Sequence, residues 1–226
     1  MSNVTHLWAI FLGTFIGLLP IINPLSAGPT FLAITEGDSP ERRREQALKG
    51  CLYMVAILVS FLIGGTFIMN FFGISIPGLR IAGGILLTGI GMDMLGTAKA
   101  GAKTDEEERA AAVKKPDISF SPLAMPMLSG PGSIAVTLGF TSLATGWVDY
   151  LAIIAGIVSV ALITYIVLRV SSRLVKFIGP VGVNAMTKIM GFLIMSIGVQ
   201  FVVNGVLGIA TDPALLRGIK AALGAH

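Results

Sequence analysis

The chain has 226 residues, 54% of them hydrophobic and only 12% charged, with a formal net charge of +4. A soluble domain carries about a quarter charged residues, so most of this chain belongs in lipid and little is left for a soluble catalytic domain. Its basic residues gather in loops, which argues against nucleic acid as a partner and makes them topology signals and contacts to anionic lipid.

Six apolar segments follow one another. The first runs from about Leu7 to Thr35 and is interrupted by Pro20, Pro24, Gly28 and Pro29. Met1 to Leu7 holds no Lys or Arg, so the positive start of a signal peptide is missing and this segment is expected to be retained. The second runs from about Leu48 to Phe72 and the third from about Pro77 to Leu95. The fourth, about Phe120 to Leu143, is interrupted by Pro122, Pro126, Gly130 and Pro131. The fifth covers about Tyr150 to Val170 and the sixth about Met186 to Ile209. In hydrocarbon every backbone polar group needs an internal partner, so these segments are helices. The chain is therefore expected to be an all-α membrane protein with six transmembrane helices and the bilayer as its surroundings.

The loops set an expected orientation. The stretch Glu36 to Lys49 holds Arg42, Arg43, Arg44 and Lys49, and the stretch Gly96 to Asp117 holds Lys99, Lys103, Arg109, Lys114 and Lys115. Arg169, Arg173 and Lys176 follow the fifth. Two nearly uncharged loops, Asn70 to Ile76 and Ala144 to Asp149, lie between them. Basic loops stay cytoplasmic, which puts both termini outside, with Trp8 and Trp147 in the outer aromatic belt. Arg217 and Lys220 run against this rule. Residues 96–117 are the one long polar connection, a solvated cytoplasmic linker with the acidic run Asp105, Glu106, Glu107 and Glu108.

The chain repeats itself. Pro24-Leu25-Ser26-Ala27-Gly28-Pro29 and Pro126-Met127-Leu128-Ser129-Gly130-Pro131 both read P-x-x-x-G-P, 102 residues apart. Gly84, Leu86, Leu87, Ile90 and Gly91 are echoed by Gly191, Leu193, Ile194, Ile197 and Gly198, 107 residues apart. Residues 1–95 and 118–226 thus read as two copies of a three-helix unit within one transmembrane domain, 1–226. Three is odd, so the copies enter the membrane from opposite sides, as in the inverted repeats of secondary transporters.

Two prolines flanking a glycine are expected to break helices one and four at P-x-x-x-G-P. Irregular backbone at membrane depth is tolerated only against protein or a water-filled cavity. Freed amides at a half-helix start suit a carboxylate, and freed carbonyls suit an ammonium. The expected substrate site is therefore Asn23, Ser26, Ala27, Gly28 and Thr30 from the first break. Met125, Leu128, Ser129, Gly130 and Ser133 come from the second. Together they favour a small, uncharged or zwitterionic solute. Asp93 is the acidic candidate for coupling, while Arg80 and Lys188 read as anchors.

Other chemistry has little support. Cys51 is the only cysteine, so no internal disulfide or cysteine metal site is available. His6 and His226 lie near opposite ends. There is no G-x-S-x-G, H-E-x-x-H or phosphate-binding P-loop, so no enzyme, catalytic residue, metal or cofactor is expected.

Three stretches, Leu19 to Thr35, Arg80 to Leu95 and Pro122 to Thr137, carry a family resemblance. They resemble the MarC family (UPF0056) of bacterial and archaeal inner-membrane proteins over nearly the whole chain. That family is similar to small neutral amino acid transporters of the SnatA type. The resemblance implies an inner-membrane location and a glycine- or alanine-like substrate, with a proton or sodium ion as the coupling candidate. Alternatives are an exporter or facilitator of another small solute, and a structural or regulatory membrane protein that transports nothing. Transport direction and homo-oligomer formation are left open.

Overall fold

The computed structural model describes residues 3–96, 117–141 and 144–213, and all regular structure among them is helical. The eight helices are α1 (Asn3–Ile22), α2 (Pro24–Ile34), α3 (Pro40–Phe72), α4 (Ile76–Met94), α5 (Ser119–Leu128), α6 (Pro131–Thr141), α7 (Trp147–Gly179) and α8 (Val181–Ala210). Four are long and apolar enough to cross a membrane: α1 over Val4–Ile22, α3, α7 and α8. The pair α5 and α6, bent by 64°, makes a fifth if it is one span. The 19-residue α4 is not among the four; it carries Arg80 and Asp93 at its two ends. Of the linker expected at 96–117, residues 97–116 lie outside the described residues, as do Arg217, Lys220 and His226.

Each boundary has a local cause. Ser39 caps α3 by accepting the Arg42 backbone N–H at 3.2 Å, with Pro40 in the first turn where its missing donor costs nothing. Gly73, at φ 65°, ends the same helix. Ser75 caps α4 through the Gly78 N–H. Between α7 and α8 there is no loop: Gly179, at φ 71° and ψ 167°, bends one helix directly into the next. That conformation is open to glycine and strained for other residues. The segment after helix five, expected as a basic loop, is thus helical, because Ser171, Arg173 and Lys176 are all compatible with a helix.

One apolar core joins the helices, with Leu18, Phe31, Met54, Leu58, Leu87, Leu123, Leu128, Ile157 and Ile194 all fully buried. The outside is apolar too: Ile63, Phe67, Phe71 and Phe177 are 66–91% exposed. A soluble monomer rarely shows so much contiguous apolar surface; here it is the lipid-facing coat.

Helices α4 and α8 run antiparallel, with backbone against backbone. A Cβ on Gly84 would lie 2.5 Å from the Gly198 carbonyl oxygen, and one on Gly91 would lie 2.6 Å from that of Gly191. Farther along, a Cβ on Gly205 would lie 2.8 Å from the Pro77 carbonyl oxygen. Small residues permit this approach, as they do generally between membrane helices. At one end of the molecule the starts of α1 and α7 are tied by His6 Nε2 and the Asp149 carboxylate, 3.5 Å apart. The same carboxylate accepts hydrogen bonds from Thr145 N (2.8 Å), Thr145 Oγ1 (2.8 Å) and Gly146 N (3.2 Å).

Candidate functional site

The two interruptions share one equivalent position, although in the second half Ser121, before Pro122, has already left the helix at φ −131°, ψ 121°. In each half the residue before the first proline of P-x-x-x-G-P leaves the helix: Asn23 at φ 42°, ψ 66°, and Met125 at φ −132°, ψ 122°. The ring of a following proline crowds the helical conformation of the residue before it. Asn23 takes the left-handed alternative, which asparagine tolerates better than most residues. After that the halves differ. In the first, α2 continues through Gly28 and Pro29 without a further break. In the second, Ser129 and Gly130 separate α5 from α6. The expectation that the motif itself breaks both helices is therefore corrected for the first half, where the break precedes the motif.

Asn23 is buried and organises the first break. Its Oδ1 accepts the Ser26 backbone N–H at 3.4 Å, capping α2, and its Nδ2 donates to Ser26 Oγ at 2.7 Å. Ser26 Oγ lies 2.6 Å from Thr187 Oγ1, whose own hydrogen goes to the Val183 carbonyl at 2.9 Å. Thr187 is then the acceptor for Ser26. The result is a directed chain from the Asn23 amide through two hydroxyls into α8, each bond polarising the next.

A cavity of about 270 Å³ opens beside this chain. Asn23, Ser26, Ala27 and Thr30 line it from the first break, and Pro122 and Met127 line it from the second. Ile21, Ile22, Ile34, Met94 and Thr187 complete the wall. No lining residue carries a charge. The polar wall consists of one amide and three hydroxyls, with hydrogen-bonding capacity left for a neutral or zwitterionic guest. The volume falls just below the ~300–1,000 Å³ of pockets that take drug-sized ligands.

The remaining expected site residues sit behind or beside this wall. Gly28 is buried against α7, where a Cβ would lie 3.4 Å from Ser171 Cβ. Gly130 lies over the preceding turn, and a Cβ there would be 2.8 Å from the Pro126 carbonyl oxygen. Leu128 is in the core. Ser133 Oγ donates to the Leu128 carbonyl at 3.2 Å. Ser129 is fully buried, and its Oγ has no hydrogen-bond partner among the described residues. Met125 is 37% exposed and does not line the cavity. Asp93 is exposed at the end of α4, next in the chain to the lining residue Met94. Thr187 went unread in the sequence because it sits in an unbroken apolar helix with no motif around it. Met127 lies inside the second motif and was legible by position.

The chain matches the family model for MarC family integral membrane proteins over residues 8–210. It is 37% identical over 214 residues to the UPF0056 inner membrane protein MarC of Citrobacter koseri, covering 89% of this chain and 95% of that protein. It is 36% identical over 198 residues to a UPF0056 membrane protein of Methanocaldococcus jannaschii, covering 88% and 96%. A UPF0056 membrane protein of Pyrococcus abyssi is 32% identical over 194 residues, covering 86% and 92%. No solved structure matches the chain.

Proposed function

The chain belongs to the MarC family of integral membrane proteins, and on that footing we propose that it is a secondary transporter of small neutral amino acids working by alternating access. It sits in the inner (plasma) membrane, as the name of its Citrobacter relative states for that protein. The observation that carries the reading is the cavity: two breaks repeated in the sequence contribute to one uncharged polar pocket. Asn23, Ser26 and Thr187 offer donors and acceptors to a carboxylate and an ammonium without fixing a net charge of their own. The apolar wall of Ile22, Ile34, Met94 and Met127 leaves room for a hydrogen or methyl side chain and disfavours bulk.

The same reading holds that six passes form two inverted three-helix units, α1–α4 and α5–α8. Two observations support it. Asn23 and Met125 occupy equivalent positions and both leave the helix. The contacts between α4 and α8 are reciprocal: Gly84 meets Gly198 while Gly91 meets Gly191. With Gly84 equivalent to Gly191 and Gly91 to Gly198, a two-fold axis between the helices exchanges these contacts. A coupling proton or sodium ion would enter near Asp93, beside the lining residue Met94.

Reconstitution into proteoliposomes tests the proposal. Glycine or alanine accumulates against its gradient when an ion gradient is imposed, and bulky amino acids do not compete. Downhill flux alone would make the protein a facilitator. Absence of flux for any small neutral amino acid would refute the transport reading.

A further inference from the structure

A second groove, of about 400 Å³, lies between the start of α3 and the last turns of α7. Arg43, Arg44 and Arg169 line it, with Glu41 the one carboxylate on its wall. An adjoining groove shares Ser172 and adds Arg173 and Lys176 beside Leu32 and Val175. Two of the guanidinium groups are fixed by neutral oxygens. Arg43 Nη2 donates to the Thr35 carbonyl at 2.9 Å, and Arg44 Nε donates to the Tyr165 hydroxyl at 3.2 Å. Among the described residues no carboxylate forms an ion pair with Arg43, Arg44, Arg169, Arg173 or Lys176. Arg42 and Lys49 on the same helix do have such partners, Asp38 at 3.3 Å and Glu45 at 2.7 Å.

A topology signal needs only to lie at the correct end of a span. It does not require guanidinium groups from two helices to face one groove with no ion-paired carboxylate among the described residues, a gathering of like charges that costs Coulomb energy at short range. An anion relieves that cost. The planar fork of arginine matches phosphate oxygens in pairs, and groups already held in place lose less freedom on binding. The level is also suitable. The 33 residues of α3 span about 50 Å at 1.5 Å per residue. That exceeds a hydrocarbon layer of about 30 Å, so the charged start of α3 stands among lipid headgroups. Leu32 and Val175 supply an apolar continuation beside the charges.

We propose that this groove binds a phosphate-bearing anion, either the headgroup phosphodiester of an anionic phospholipid or free phosphate. The site is separate from the cavity at Asn23 and does not depend on what is transported.

Native mass spectrometry of the purified full chain in neutral detergent tests it, with added phosphatidylglycerol or phosphatidylcholine. Thermal unfolding in sodium phosphate against sodium chloride of equal ionic strength provides the second arm. Arg44→Gln/Arg169→Gln weakens retention of the anionic ligand by about ten-fold or more, the loss of charge-assisted bonds. Lys188→Gln, an exposed lysine outside the groove, leaves it within about two-fold. The single variant Arg169→Gln, at an exposed position, serves if the double variant does not purify folded. Preference for phosphatidylglycerol without a phosphate effect assigns the lipid source, and stabilisation by phosphate without lipid preference assigns the free ion. Absence of both overturns the proposal, as does an equal loss in Lys188→Gln.

Discussion

Replacing Asn23 separates its structural role from its role in the cavity. Asn23→Ala removes the cap on α2, a loss of about 1 kcal/mol. It also puts a residue with a Cβ and no compensating side-chain bond at φ 42°, which costs about 1–2 kcal/mol more. The protein should therefore be destabilised by about 2–3 kcal/mol. Asn23→Gly accepts the left-handed conformation freely, and glycine at a cap costs only a few tenths of a kcal/mol. Both variants, however, delete the amide that faces the cavity and leave Ser26 Oγ with Thr187 as its only remaining partner among those given by Asn23 and Thr187. Each should lose about 1–3 kcal/mol of substrate binding, roughly 5- to 150-fold in Kd. Melting of the purified proteins with and without glycine or alanine measures both quantities. The reasoning fails if alanine and glycine variants melt alike, or if either binds substrate with undiminished affinity.

Gly84→Ala sets a Cβ against the Gly198 carbonyl and the Val202 backbone amide, neither of which can rotate away. It should destabilise by about 1–3 kcal/mol, whereas Gly89→Ala, with nothing within 4 Å of the added Cβ, should be neutral or stabilising in the same thermal assay. In a Cys51→Ala background, Glu36→Cys should resist an impermeant thiol reagent in intact cells and Ile74→Cys should react; the opposite pattern would invert the topology. Where accumulation is proton-driven, Asp93→Asn should abolish it while exchange continues, and accumulation at the wild-type level would place coupling at another group.

Hydropathy located the helices but shortened those that leave the bilayer. The apolar run opening at Leu48 belongs to a helix that starts at Pro40, because a charged turn is as helical as an apolar one once Ser39 caps it. The start signal, Ser39-Pro40-Glu41, was present in the sequence and is independent of hydropathy. The ring clash of Pro24 made the break at Asn23 readable, whereas the continuation of α2 through Pro29 was not. Pro29, sixth in α2, has no N–H to give the Leu25 carbonyl, yet the helix runs on through it to Ile34, so a proline in this stretch does not by itself mark a break. Half of the cavity was visible as polar residues beside a break. Thr187 and Met94 come from helices remote in sequence, and only packing brings them to Asn23.

The glycine seam between α4 and α8 has a mechanical consequence. Its closest approaches involve carbonyl oxygens and amide nitrogens, which cannot change rotamer to let a neighbour slide by. Any axial displacement of one helix along the other would first have to lift them apart and forfeit the contact along the seam. The two helices are therefore expected to move as one beam, and the joints for any such movement are where the backbone already departs from a helix: at Asn23, at Ser121 and Met125, at Ser129–Gly130 and at Gly179.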